Sequence, residues 1–160
     1  MPLFHKHTII WQVLLITLCS TTLLPAQDRY RFTVDLVNGS NDQVTITLDC
    51  PRITEATVNY SLPKIVPGPY SIYDFGRFIE NFNAWDQDGN PLPVLLNDLN
   101  TWTIKDATRL TKITYRLNDS FDAHDKDNPI FEPAGSNIQL DSNYVLNTFT
   151  CIGYFEKMQS

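Results

Sequence analysis

Residues 30–48 read YRFTVDLVNGSNDQVTITL. Tyr30, Phe32, Val34 and Leu36 fall on one side of this run, and Arg31, Thr33 and Asp35 on the other. After a polar interval from Asn38 to Gln43, Val44, Ile46 and Leu48 alternate with Thr45 and Thr47. Side chains change face at every residue of a strand, so a period of two predicts strands with one buried face. Two such runs joined through Asn38-Gly39 predict an antiparallel hairpin.

The same reading extends in both directions. Ala56, Val58, Tyr60 and Leu62 continue the alternation as a third strand. Asp88-Gly89-Asn90 marks a turn before an apolar run over 92–96, and a second turn over 97–100 leads into 101–104. Ile113, Tyr115 and Leu117 point inward from the last clear strand, 112–117. Short runs at regular spacing with turns between them predict an all-β fold, an antiparallel β-sandwich. One segment has two readings. Phe78, Phe82 and Ala84 share a face with Glu80 while Ile79 and Trp85 lie opposite, which fits a strand buried on both sides; Phe78 and Phe82 at i, i+4 also fit a short helix. Beyond Asn118 the alternation stops. Asp119, Asp122, Asp125 and Asp127 precede apolar clusters at Ile130-Phe131 and Tyr144-Val145-Leu146, so an irregular carboxy-terminal segment is expected over 118–160, after a sandwich core over 27–117.

The third strand enters residues 62–85, LPKIVPGPYSIYDFGRFIENFNAW, which hold three prolines, two glycines and six aromatics. Proline removes a donor and fixes φ, so Pro67-Gly68-Pro69 is excluded from a helix interior or a central strand. Punctuation followed at once by bulky rings predicts a rigid crossover packed against the core.

With 160 residues, 42% of them hydrophobic and 19% charged, the chain is sized for one globular domain. A formal charge of −6 and a pI near 4.8 argue against nucleic acid and against an anionic membrane surface as partners. Residues 1–26 form a separate unit: Lys6 and two histidines, an apolar run over 9–18, then small and polar residues up to Ala26. This is the pattern of a signal peptide, and the run is short for a bilayer span. Export to the periplasm or the extracellular space is expected, with cleavage near Ala26; the bulky Leu24 leaves an uncleaved anchor as the alternative. Leu18 before Cys19 is a poor match to a lipid-attachment site. Loss of Lys6 from the 12 basic residues leaves 11 against 18 acidic ones, a net charge of −7. Cys50 and Cys151 then remain, either as a disulfide closing a long loop or as two buried thiols.

Little catalytic chemistry is present. His124 is the last histidine once the leader is gone, so no His-Glu-x-x-His and no Cys/His ligand spacing exists. No catalytic residue, metal ligand or cofactor is assigned to this chain. The acidic loop over 118–128 reads either as solvated or as a weak cation site, since it lacks the glycine and bidentate glutamate of a calcium loop. Asn38, Asn59 and Asn118 each begin an N-glycosylation sequon. A small carboxylate enzyme using Asp74 and Glu80 would need a cleft between them, which acids alone do not establish.

Several motifs in order carry a resemblance. Leu62-Pro63, Pro67-Gly68-x-Tyr70-x-Ile72-x-Asp74-Phe75 and Arg77 are followed by Ala84 and Asp88-Gly89, then Asn100-Thr101-Trp102 and Ile113-x-Tyr115. Gly135-Ser136-Asn137, Val145-Leu146-Asn147 and Gly153-Tyr154-Phe155 come after. From about Arg29 onward the chain resembles the amino-terminal domain of the glycyl aminopeptidase family, metallopeptidase family sixty-one. The resemblance implies a non-catalytic β-rich domain preceding a zinc peptidase domain, with zinc and peptide substrate held by that later domain. It makes Tyr70, Tyr73, Asp74, Arg77, Asn147 and Tyr154 candidate cleft or interface residues. Arg77 would either hold the crossover together with Asp74 or face the cleft. The chain is then expected to be an incomplete unit whose apolar clusters at 144–146 and 152–155 lie uncovered, with residues beyond 118 sensitive to proteases. The alternative is a stand-alone secreted binding module that uses Tyr70 and Tyr73 to hold a peptide or glycan.

Overall fold

The computed structural model describes residues 29–68, 71–122 and 128–156. Its strands are β1 (Arg31–Ser40), β2 (Gln43–Asp49), β3 (Thr57–Ser61), β4 (Ile79–Trp85), β5 (Pro91–Leu92), β6 (Val94–Asp98), β7 (Thr101–Lys105), β8 (Lys112–Asn118), β9 (Asn137–Gln139), β10 (Asn143–Val145) and β11 (Tyr154–Phe155). They form a five-stranded sheet in the order β1-β2-β8-β4-β5, a four-stranded sheet in the order β11-β3-β7-β6 and the separate β9-β10 hairpin. Every pairing is antiparallel. The all-β sandwich is therefore what the alternation specified.

Position in the sheet explains how strictly each strand keeps the pattern. β2 and β8 have neighbours on both sides, and Val44, Ile46, Leu48, Ile113, Tyr115 and Leu117 are all at most 1% exposed. β1 has a neighbour on one side only, so Phe32 and Val34 are half-buried and Leu36 is exposed. Its pairing shifts register between Asp35 and Ser40, where Asp35 Oδ1 accepts from Val37 N and Asn38 N, both at 3.0 Å. This carboxylate-held irregularity twists the free edge away from further pairing. The hairpin turns at Asn41 and Asp42, with φ of 53° and 51°, rather than at Asn38-Gly39. Left-handed φ at both central residues matches the twist of the flanking strands.

The apolar run over 92–96 is not one strand. It divides at Pro93, with β5 in the five-stranded sheet and β6 in the four-stranded one. Proline has no N–H to give a ladder, so the chain changes sheets there without losing a bond. Of the two readings for 78–85, the strand is the one adopted, after a single 3-10 turn over Phe75–Phe78. Its register slips between Glu80 and Asn83, with Asn81 at φ 51°. The slip sends Phe82 into the sandwich, where its ring stacks on Trp102 at 4.6 Å and lies 5.9 Å from Tyr115. Rings from both sheets thus meet in one core, with Tyr60 against Phe82 and Phe155 at 5.7 and 5.3 Å.

The carboxy-terminal segment corrects an expectation. Phe155, expected among uncovered residues, is 0% exposed, and Ile138 and Cys151 are buried with it. β11 joins the sheet by pairing Tyr154 with Ser61 and Phe155 with Tyr60. A buried relay fixes it there: Gly153 N donates to the Tyr60 hydroxyl at 3.1 Å, the Tyr60 and Tyr115 hydroxyls lie 3.3 Å apart, and Tyr115 donates to Cys151 O at 2.5 Å. Burial pushes both phenols above their usual range, so they stay protonated and able to donate. A Cβ on Gly153 would lie 2.6 Å from Ser61 O and from the Tyr60 ring, so this approach requires glycine. Val145 and Phe149 do remain exposed. Cys50 and Cys151 are both free thiols, and burial raises the pKa of each, Cys151 to about 11.

Asp86 ties the β4–β5 turn together. It is buried, accepts from Asn90 N at 2.9 Å and Asp88 N at 3.0 Å, and pairs with Arg109. The Asn90 backbone contact, with smaller help from Asn90 and Arg109 side chains, holds its carboxyl below the usual range. A carboxyl with a lower pKa folded than unfolded stabilises the fold above the unfolded value of about 3.9, and that contribution is lost as pH falls through the folded value. Thermal unfolding followed from pH 7 to pH 2 should therefore show a falling Tm in acid. Asp86→Asn should lower Tm at neutral pH and flatten the acid slope; an unchanged slope would contradict the assignment.

Candidate functional site

A groove of about 1090 Å³ lies between the proline-rich crossover and the last residues of the described chain. Its first wall is the crossover itself. Pro63 and Pro67 remove donors, so the segment cannot extend the sheet and folds back instead. Lys64 O accepts from Tyr73 N at 2.8 Å and from Asp74 N at 3.1 Å, closing the fold. Ile65 is left 51% exposed on the wall that results.

Asn100 fastens this wall to the β6–β7 turn. Its Oδ1 accepts from Gly76 N at 3.0 Å, its Nδ2 donates to Asp74 Oδ1 at 2.7 Å, and its carbonyl accepts from Leu62 N at 2.9 Å. The backbones come so close that a Cβ on Gly76 would fall within 2.6 Å of Asn100 Cα. Asn100 is 1% exposed, so each of these contacts replaces one that water would otherwise make.

The opposite wall is built on one helical turn, Thr148–Cys151, whose N-cap is Asn147: its side chain accepts from Phe149 N at 3.0 Å. Phe149 and Ile152 face the groove from this turn, and Tyr154 from β11. The floor is polar. Glu156 accepts from Ser61 Oγ at 3.0 Å and from Asn59 Nδ2 at 2.9 Å, one bond to each carboxylate oxygen. Asn59 is held in turn by Thr103 at 2.7 Å, and Ser61 by Thr101 at 3.1 Å. Four hydroxyl and amide side chains from β3 and β7 therefore aim one carboxylate.

The charges along the groove do not balance. Asp98 lies 3.9 Å from Lys64, and the backbone N–H of Asn100, with the Lys64 charge adding, holds its carboxyl below the usual range. Glu156 has no cation within ion-pair distance among the described residues. The groove thus offers apolar walls and one oriented negative charge. Ser61 Oγ donates to Glu156 Oε1 and so helps hold the carboxylate in place. Among those residues, too, no three His, Cys, Asp or Glu side chains gather as a metal site.

The residues singled out from the sequence are not one cluster. Tyr154 lines the groove. Asn147 supports it from behind as the N-cap, also donating to Ala134 O at 3.1 Å. Tyr73 is 4% exposed and packs on Phe75 at 5.6 Å, so its ring is not presented to a ligand. Asp74 sits at φ 52° with its carboxylate on Asn100 instead of Arg77. Arg77 donates to Asn128 O at 2.6 Å, with its guanidinium 4.7 Å from the Phe78 ring centre, and lines a different depression. Tyr70 and His124 lie outside the described residues. In the acidic loop, Asp119 accepts from the backbone of Phe121, Asp122 and Ile138, which makes it an anchor for the chain. Sequence reasoning missed Glu156, Ser61 and Ile65 and named Asn59 only as a sequon; of the site's supports, Asn100 and Thr101 stood in the motif Asn100-Thr101-Trp102 and Asn147 in Val145-Leu146-Asn147.

No curated protein matches the chain. Among solved structures it is similar to the crystal structure of an aminopeptidase N family protein from Idiomarina loihiensis, with a TM-score of 0.66 and 17% identity over 81% of this chain and 20% of that one. The chain spans about one fifth of the length of that structure, and the likeness is one of fold. Residues 31–160 match the family described as Peptidase M61 N-terminal domain. With most of its length matched, the chain belongs to the Peptidase M61 N-terminal domain family.

Proposed function

We propose that this domain is a non-catalytic, exported part of an aminopeptidase-like zinc metallopeptidase, where it supports the peptidase domain and its substrate cleft. The observation that carries the reading is the groove: an open, largely apolar surface with one carboxylate, Glu156, that has no cation partner among the described residues, in a domain whose family is defined as the amino-terminal part of a peptidase. Surfaces of this kind on an otherwise filled sandwich mark contact with another protein surface. In this reading zinc and peptide belong to the peptidase domain, and the chain contributes shape and charge beside it.

The test compares the purified mature chain, a zinc-loaded M61 peptidase domain and their mixture on glycyl and alanyl anilides. The chain alone should hold no stoichiometric zinc and release no product, and its addition should raise the turnover or the thermal stability of the peptidase domain. One tightly held zinc per chain, or hydrolysis by the chain alone, would contradict the reading. Export is tested separately. Intact-mass analysis of protein recovered from the envelope of an exporting bacterial host should give a chain starting at or near Gln27; a chain starting at Met1 would point to an anchor.

A further inference from the structure

We infer that the groove takes a basic, apolar segment of the peptidase domain: an aliphatic or aromatic side chain between Ile65 and Phe149, and an arginine or lysine on Glu156. The inference rests on the supporting role proposed above and names the contact that role would use. Three observations select this occupant.

The first is charge. Of the ionised side chains on the groove, Asp98 is already beside Lys64, while Glu156 has no cation partner among the described residues. A carboxylate that must stay half-buried gains most from a cation brought by whatever covers it, because covering excludes the water that now solvates it. An acidic or neutral segment would bury Glu156 uncompensated. The second is orientation. Asn59 and Ser61 each donate to one oxygen of Glu156, at 2.9 and 3.0 Å, and are themselves held by Thr103 and Thr101. The carboxylate is fixed before any partner arrives, so little side-chain entropy is lost in forming the pair. The third is the walls. Ile65 is 51% exposed and Phe149 is 43% exposed, and both line the cavity together with Ile152, Tyr154 and Glu156. Apolar side chains held apart across such a volume are an unfilled receptor for another apolar side chain.

Isothermal titration of the mature chain into a zinc-loaded M61 peptidase domain, at about 50 and 500 mM salt, tests the assignment. The wild-type chain should bind in roughly the micromolar range, with affinity falling at the higher salt. Glu156→Gln keeps a hydrogen-bonding side chain of the same shape and removes the charge; it should weaken binding roughly tenfold or more and remove most of the salt dependence. Ile65→Asp, on an exposed side chain, should abolish binding while the circular dichroism and Tm of the free chain stay unchanged. If the wild-type chain binds and both variants bind equally well, this contact is wrong while the supporting role stands. If the wild-type chain does not bind, both fail. A groove filled by a second copy would appear as a dimer that Ile65→Asp dissociates, and that result would overturn the assignment.

Discussion

Asn100→Ala should destabilise the domain by about 2–4 kcal/mol, enough to lower Tm by roughly 8 °C or more. The side chain makes no functional contact, yet three segments meet on this residue. Truncation leaves Gly76 N–H without an acceptor and the Asp74 carboxylate without its donor, both in a place where water is excluded from the asparagine itself. Leaving a buried group unpaired costs more than the bond contributed, which puts this change above an ordinary polar substitution. Asn100→Asp separates the two contacts. It keeps an acceptor for Gly76 N–H but sets a second carboxylate against Asp74 in place of a donor, so it should be about as destabilising as alanine at pH 7. Equal stability of wild type and Asn100→Ala in urea would show that the crossover is held by other means.

Phe155→Ala has the largest expected effect of a single truncation, about 3–5 kcal/mol. Phe155 is 0% exposed and packs edge-on against Tyr60 at 5.3 Å and, with its ring tilted, against Tyr30 at 5.8 Å. The cavity cannot close easily, because β11 is held by its pairing to β3 and by the hydroxyl relay through Tyr60 and Tyr115. The same substitution should loosen the groove, since Tyr154 precedes Phe155 in β11 and Glu156 follows directly after it. Urea unfolding should show the loss in the midpoint. A change under about 1 kcal/mol would mean that the last strand is an appendage instead of part of the core.

The fold was legible wherever the physics is local. β2 and β8 alternate cleanly because neighbours on both sides bury one face completely, and their period of two needs no tertiary information to be read. β1 alternates as cleanly in sequence, yet an edge strand buries its face only halfway, and edge position is a property of the assembled sheet. The split at Pro93 was hidden for the same reason: a run of apolar residues looks alike whether or not it changes sheets. β11 has two residues, too few to carry any period. The groove was the least legible feature. Its walls come from 62–68 and 148–154 and its floor from β3 and β7, and nothing in the spacing of Ile65, Phe149 and Glu156 brings them together. Tyr73 and Arg77 became candidates through the resemblance, but the crossover folds back through Lys64 O, with Tyr73 buried and Arg77 donating to Asn128 O. Tyr154, which stood in a motif, lines the groove, while Glu156 two residues on, which carries the charge, belongs to no motif at all.

The measurement that bears most directly on the supporting role is amide hydrogen exchange of the mature chain, alone and mixed with a zinc-loaded M61 peptidase domain. The account predicts slower exchange on mixing over 62–68 and 148–156, with the exposed edge around Val37 unchanged. Protection at β1 or β6 with none along the groove, or no protection anywhere at concentrations where the two proteins co-elute, would contradict it.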